Sequence, residues 1–330
     1  MEFEIFKSMA IGVKEIRRRI KSIQNTKKIT RAMEMVAAAK MRKALARVLA
    51  SRPYAEAAWE ILTHLSESSL SAAHPLLEVR PVKRICLVLI TSNRGLCGGF
   101  NSQIVRKVFT EVRNPNLLKI NRSGAKRIDS PVANEEIEID FITIGKKGAL
   151  AVRRLGKKII ATFDDLSYSA DVYNIRPLAK LVMDDYSNKI YDKVVIAYTD
   201  YISPLAQRPK LRQLLPLSRF DLEKQIAELR QMAEEAGEKE FESARSEYLF
   251  EPDTSQVLGE LIPRLIEMQI YRGLLESNAS KEAARMLAMR NATEAASDII
   301  ADLTLVYNKS RQASITREII EVSAGATFSK

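Results

Sequence analysis

From Leu261 to Tyr307 an apolar residue returns at alternating steps of four and three, through Leu265, Met268, Leu275, Ala279, Met286, Met289, Ala296, Ile300 and Leu303. Arg272, Glu282 and Thr293 are the polar members of the same series. A rhythm of this kind, held over about six heptads, specifies one long helix with a narrow apolar seam. Pro263 falls near the start, where a first turn tolerates it or a kink absorbs it. Gly325 supplies a stop, so the predicted C-terminal rod covers 255–325.

The other end of the chain repeats the device. Ile16, Ile20 and Ile23, then Ile29, Met33 and Val36, then Ala37, Met41, Ala44 and Val48 are spaced as stretches of seam with shifts of phase between them. No glycine or proline interrupts Val13–Arg52, and Pro53 should kink or end the helix there. Forty residues at ~1.5 Å each make a rod of about 60 Å; the N-terminal helical region is assigned to 11–70. A narrow seam cannot bury itself alone. Both rods flank one middle segment, so they are expected to pair antiparallel, with the longer C-terminal rod overhanging its partner.

The middle, 82–217, alternates two periodicities. Strands are predicted at Arg84–Thr91, Ile137–Ile144, Lys158–Thr162 and Lys193–Tyr198, and helices at Ser102–Val112, Lys146–Leu155 and Val172–Tyr191. Short apolar runs separated by helices imply an α/β domain with a mostly parallel sheet. Two stretches read as insertions. Arg113–Glu136 is polar and turn-rich and is expected to be a mobile loop. Residues 220–247 hold nine acids against four bases and read as a surface helical segment broken at Gly237.

Charge narrows the partner. Thirteen basic residues against two acids lie between Gly12 and Arg52, an excess equal to the net charge of +11 of the whole chain. A stripe of that density calls for a carboxylate-rich protein surface, nucleic acid or anionic lipid, unless it is simply a solvated face. With 46% hydrophobic residues the chain can build a core. No apolar run reaches the ~18 residues that a membrane-spanning helix needs. Two histidines and two cysteines without CxxC spacing exclude a zinc finger and imply reduced thiols.

Catalytic motifs are weak. Thr91–Asn101 (TSNRGLCGGFN) follows a strand and precedes a helix, where glycines and a helix N-terminus could hold phosphate, but it has neither GxGxxG nor GxxxxGK[ST] spacing. It reads as a structural turn or protein contact, with no cofactor and no metal expected. Cys97 lacks a recognisable base, and Asp164–Asp165 and Asp184–Asp185 lack a supporting histidine or metal-ligand pattern. Three classes remain: a force-transmitting subunit, a basic coiled-coil protein that binds nucleic acid, and a dinucleotide enzyme.

The segments Lys14–Ala44 (KEIRRRIKSIQNTKKITRAMEMVAAAKMRKA), Ala279–Leu303 and Leu305–Ala326 (LVYNKSRQASITREIIEVSAGA), with Gly95–Gly99, SRPYAE and YLFEPD, resemble the gamma subunit of rotary ATP synthases over nearly the whole chain. The resemblance implies an antiparallel coiled coil of the two termini beside a Rossmann-like α/β domain. It implies a non-catalytic central-stalk rotor, peripheral on the cytoplasmic face of the bacterial plasma membrane, one copy per complex. Its partners would be the alpha and beta subunits of the catalytic hexamer, the epsilon subunit and the membrane c-ring, with no nucleic acid bound. Carried over by position, the hexamer contacts are Lys27, Lys28, Arg31 and Met33 on the first helix, and Arg285, Arg311, Gln312, Thr316, Glu318 and Glu321 on the last. The loop Arg94, Gly95, Leu96, Cys97 and Gly98 corresponds to a second contact at the hexamer's lower rim. Asn93 stands where the family often has Asp. The 220–247 segment occupies the place of a regulatory insertion in photosynthetic relatives; it has no cysteine, which excludes thiol control and leaves steric regulation open.

Overall fold

The computed structural model describes residues 12–58, 74–116, 118–123, 126–128, 136–167, 172–218, 254–328 and, within 224–234, all but 225, 229 and 233. Helices α1 (Val13–Ala50), α2 (Phe100–Arg113), α3 (Lys146–Arg154), α4 (Arg176–Ser187) and α5 (Thr254–Phe328) accompany strands β1 (Arg84–Ile90), β2 (Asn121–Ser123), β3 (Lys126–Ile128), β4 (Glu138–Ile144), β5 (Ile159–Phe163), β6 (Lys193–Tyr201) and β7 (Gln207–Leu215). The chain divides into two compact units. One holds residues 1–37 and 285–330, the other 38–284.

In the first unit the parts of α1 and α5 pair along their seams. On α1 the buried and half-buried positions up to Ala37 are Val13, Ile16, Ile20, Ile23, Lys27, Thr30, Met33, Glu34 and Ala37, and all but Met33 form an unbroken 4-3 stripe. The expected shift of phase does not occur. Ile29 (60% exposed) and Val36 (53%) face outward, while Lys27 and Thr30 complete the seam in their place. Thr30 is tolerated there because its hydroxyl meets that of Thr293 at 2.8 Å, and each hydroxyl also lies within reach of a carbonyl of its own helix, Lys27 O and Met289 O. A single polar pair of this kind fixes register. Equal steps back from Thr30 and forward from Thr293 bring Val13 opposite Ser310, the last half-buried position among the described side chains of α5. Beyond it every side chain from Arg311 to Ile320 is exposed, so the overhang read from the sequence begins there.

That register is testable. With Thr30→Cys and Thr293→Cys, mild oxidation is expected to give an intrachain disulfide, because the native hydroxyls already touch. The readout is a reductant-reversible shift of monomer mobility on a non-reducing gel. Disulfides formed only between chains would overturn the pairing. The native Cys86 and Cys97 are buried and do not compete.

The second unit is a three-layer α/β/α arrangement. Its sheet has the order β5-β4-β1-β6-β7, with β5, β4, β1 and β6 parallel and β7 antiparallel on the edge. The central strands form because they are apolar on both faces, as a sheet covered on both sides demands. Ile85, Leu87 and Leu89 of β1 pack with Ile104 and Val108 of α2 and Val152 of α3. Cys86, Val88 and Ile90 point the other way, into a core with Leu178 and Val182 of α4 and Leu258–Leu275 of α5. From Gln269 to Ala283 all of α5 except Asn278 is buried, where the sequence had suggested only a one-sided seam. Gly273 permits the close approach: a Cβ there would stand 3.2 Å from Ile196 Cδ1 of β6.

Several boundaries differ from expectation. Strand β7 was not predicted; Pro209, Lys210, Arg212 and Gln213 hide it, and Pro209 suits an edge. The stretch 113–136 contains the β2–β3 hairpin instead of being loop throughout. Val172–Tyr191 resolves into a 3-10 turn (Val172–Ile175) and α4. After α1 the chain turns at Ser51 and resumes as a helix over 52–58, so Pro53 sits in the first turn of the new segment. Its neighbour Ser51 closes the old one, its hydroxyl donating to Val48 O at 2.6 Å.

Candidate functional site

The loop after β1 lies at the topological switch point of the sheet. The connections run from β1 to β4 and β5 on one side and return to β6 on the other. In open α/β sheets this crevice, at the carboxyl ends of the strands, is where ligands bind, aided by free amides at helix N-termini. At α3 the amides are taken. Lys146 N donates to Asn93 Oδ1 (2.9 Å), Lys147 N to Ser92 O (3.1 Å) and Gly148 N to Thr91 Oγ1 (2.8 Å). The first turn of α3 is plugged by the loop that follows β1, and its donors are not presented to a phosphate.

The same contacts make the loop rigid. Asn93 also donates through Nδ2 to Asp164 O at 2.8 Å. An aspartate could cap α3 but could not make that second bond, which gives the departure at Asn93 a structural reason. Ser92 Oγ donates to Arg94 O at 2.6 Å, and Ser92 N to Asn101 Oδ1 at 3.0 Å. Asn101 Nδ2 reaches Ser92 Oγ (2.8 Å) and Cys97 Sγ (3.2 Å). Cys97 is 1% exposed. The Cys97 thiol, named among the loop contacts from the resemblance, is turned inward and anchors the loop. What the loop presents is Arg94, Gly95, Leu96 and Gly98, all exposed. Leu96 holds a left-handed backbone (φ 62°) and is 65% exposed. A leucine held outward in a disfavoured conformation, on a loop this heavily bonded, has the character of a contact residue.

In the first unit, Lys28 and Arg31 are exposed, Lys27 is a half-buried member of the seam, and Met33 and Arg285 are half-buried beside it. Arg31 pairs with Glu34 at 3.1 Å and Arg19 with Glu15 at 3.4 Å; exposed pairs of this sort contribute little. Lys14, Arg17, Arg18, Lys21 and Lys28 face solvent. Arg311, Gln312, Thr316 and Glu318 are exposed on α5, and the Thr316 hydroxyl donates back to Gln312 O at 2.9 Å. The side chain of Glu321 lies outside the described residues. The sequence reading passed over Ile315, Ile319 and Ile320, which are 47%, 64% and 60% exposed. Apolar residues that fall off the seam phase were the available signal. Ile29, Met35 and Val36 give the same signal on α1. Clustered exposed apolar side chains mark interaction surfaces.

Comparison with known proteins agrees with this arrangement. A family model described as ATP synthase matches residues 12–327. The chain is 36% identical over 315 residues to the ATP synthase gamma chain of Legionella pneumophila (strain Corby), covering 96% of this chain and 98% of that one. It is 39% identical over 313 residues to the ATP synthase gamma chain of Dehalococcoides mccartyi (strain CBDB1), covering 94% and 96%. Among solved structures, a chain of the Euglena gracilis mitochondrial ATP synthase shares the fold with a TM-score of 0.58 at 19% identity, over 96% of this chain and 93% of that one. A chain of the Tetrahymena thermophila mitochondrial ATP synthase central stalk and c-ring does so with a TM-score of 0.52 at 24% identity, over 80% and 99%.

Proposed function

This chain belongs to the ATP synthase gamma family, and from that premise we propose that it is the central-stalk rotor, coupling rotation of a membrane ring to ATP synthesis or hydrolysis at the beta-subunit sites. It performs no chemistry itself. Its alpha and beta partners form a hexamer around the exposed end of α5 and the basic face of α1. Arg311, Gln312, Thr316 and Glu318, with Lys28, Arg31, Met33 and Arg285, are the contacts there, and Arg94, Gly95, Leu96 and Gly98 touch the hexamer's lower rim. The epsilon subunit and the c-ring engage the other end. Bacterial relatives favour the cytoplasmic face of a bacterial plasma membrane. Among the described residues no helix is long and apolar enough to cross a membrane, in keeping with a peripheral position.

The observation that carries this reading is the run Arg311–Ile320, in which every side chain is exposed, isoleucines included, beyond Ser310, the last half-buried position among the described side chains of the helix. Such a surface calls for an enclosing partner. The competing nucleic-acid reading draws no support from the relatives. The test is assembly: the tagged chain, mixed with the alpha and beta subunits of its own source, should co-elute as one complex that hydrolyses ATP, and a bead fixed to the second unit should rotate. Failure to assemble, together with tight salt-sensitive binding to DNA or RNA, would overturn the assignment.

A further inference from the structure

The helical stretch within 224–234 was expected to be a surface segment. Lys224, Ala227, Arg230, Gln231 and Glu234 are exposed, and the other side of the stretch is tied into the second unit. Ile226 is buried and Met232 packs against the core that holds α4 and α5. Glu228 accepts from Lys210 Nζ (2.8 Å) and Arg212 Nη2 (2.7 Å) of β7, and lies 3.8 Å from Arg272 of α5. Arg230 donates through Nε to Glu56 (2.9 Å), which also accepts from Arg52 (3.2 Å), both in the helical turn 52–58 that follows α1. One short helix thus reaches the edge strand of the sheet, the buried part of α5 and the continuation of α1.

The charges explain why these contacts are firm. Lys210, Arg212 and Arg272 gather beside Asp200, Glu228 and Glu276, with Lys210 on Asp200 at 3.1 Å and Arg272 on Glu276 at 2.5 Å. Arg212 is 8% exposed. Removing Glu228 would leave three cations against two carboxylates in a largely buried site, which is costly. Burial alone would raise the Glu228 carboxyl, but Arg212 and the hydrogen bonds from Lys210 and Arg212 outweigh it and hold it at about 2. Ion pairs with fixed geometry resist sliding, whereas apolar contacts tolerate it.

We propose that this helix is a torsion brace, in which Glu228 and Arg230 lock β7, α5 and the 52–58 helix together so that torque passes between sheet and shaft helices without slip. The proposal rests on the rotor reading and gives the described part of the insertion a mechanical purpose in place of a regulatory one. Glu228 and Arg230 are positioning residues that act through Lys210, Arg212, Arg272 and Glu56. The test uses the whole ATP synthase in inverted membrane vesicles, with ATP hydrolysis and ATP-driven membrane potential, reported by a voltage-sensitive dye, measured side by side. In Glu228→Gln with Arg230→Gln, hydrolysis should stay within about twofold of wild type while the potential generated per ATP falls several-fold; Glu228→Asp should restore most of it. Should the double variant not assemble, Arg230→Gln alone decides, since that side chain is 54% exposed and its loss leaves the Arg52–Glu56 pair intact; a smaller fall in the same ratio is expected. An unchanged ratio overturns the brace, and so does a parallel loss of hydrolysis and potential, which would mark a merely structural role. A wild-type chain that fails to enter the complex would refute the rotor reading instead, so the two failures are separable.

Discussion

Gly145→Ala is expected to destabilise the second unit by on the order of 3 kcal/mol and to release the Arg94–Gly98 loop. Gly145 precedes α3 with φ 92° and ψ 141°, a region closed to residues with a Cβ. A methyl group there would also lie 2.5 Å from Thr91 O and 2.9 Å from its carbonyl carbon. Neither atom can withdraw, because Thr91 N donates to Ile144 O (2.8 Å) and Thr91 Oγ1 takes the Gly148 amide. Relief must come from parting the loop from α3, which breaks the plugs at Lys146, Lys147 and Gly148 together. Hydrogen exchange across 91–101 should then rise far more than across β6, and the unfolding midpoint of the free chain should drop by several degrees. The control is Thr91→Ser, which keeps the oxygen and should leave exchange near wild type. A Gly145→Ala chain that melts and exchanges like the parent would show that the loop is not held in this way.

How the loop is held could not be read from the sequence, because Thr91, Ser92 and Asn93 meet their partners on α3 only after a strand, a helix and a hairpin have intervened. What was legible follows the same logic throughout. Strands β1, β4 and β6 announce themselves because two covered faces require unbroken apolar runs. β7 does not, because Lys210 and Arg212 spend their charge on Glu228, a partner that no local pattern reveals. On α1 the periodicity was visible but its phase was lost, since Ile29 and Val36 imitate seam residues while Thr30, the true one, looks like surface until Thr293 is placed beside it. The buried stretch 269–283 of α5 was likewise disguised by Arg272 and Glu276, whose charges pair inside. The hexamer contacts came from family resemblance. Physical reading of the structure adds how they are disposed: the Cys97 thiol is turned inward, while Arg311 and Gln312 are exposed.

Those two residues carry the other large expectation. In Arg311→Ala with Gln312→Ala, ATP turnover of the assembled complex should fall by roughly tenfold, the scale on which losing a charge-assisted, bidentate contact is felt. Both lie on the first turn beyond the paired seam, where no side chain up to Ile320 is buried. Burial within the unit therefore does not account for them. Arginine presents a planar fork of donors suited to carboxylates and backbone carbonyls, and glutamine adds a donor and an acceptor beside it. Set into an otherwise regular helix, they are placed to be grasped from outside. Because the sites are exposed and helical, the free chain should change little, by about 0.5 kcal/mol, and alanine is itself a good helix former. The measurement is therefore paired: ATPase activity of complexes rebuilt with the variant, and circular-dichroism melting of the variant chain alone. A separate Arg311→Lys complex, which keeps the charge but loses the fork, should recover only part of the activity. Turnover unaffected by the double substitution would show that the pair is ordinary solvated surface. A loss of turnover matched by earlier melting of the free chain would assign it to folding instead of to the grip between shaft and hexamer.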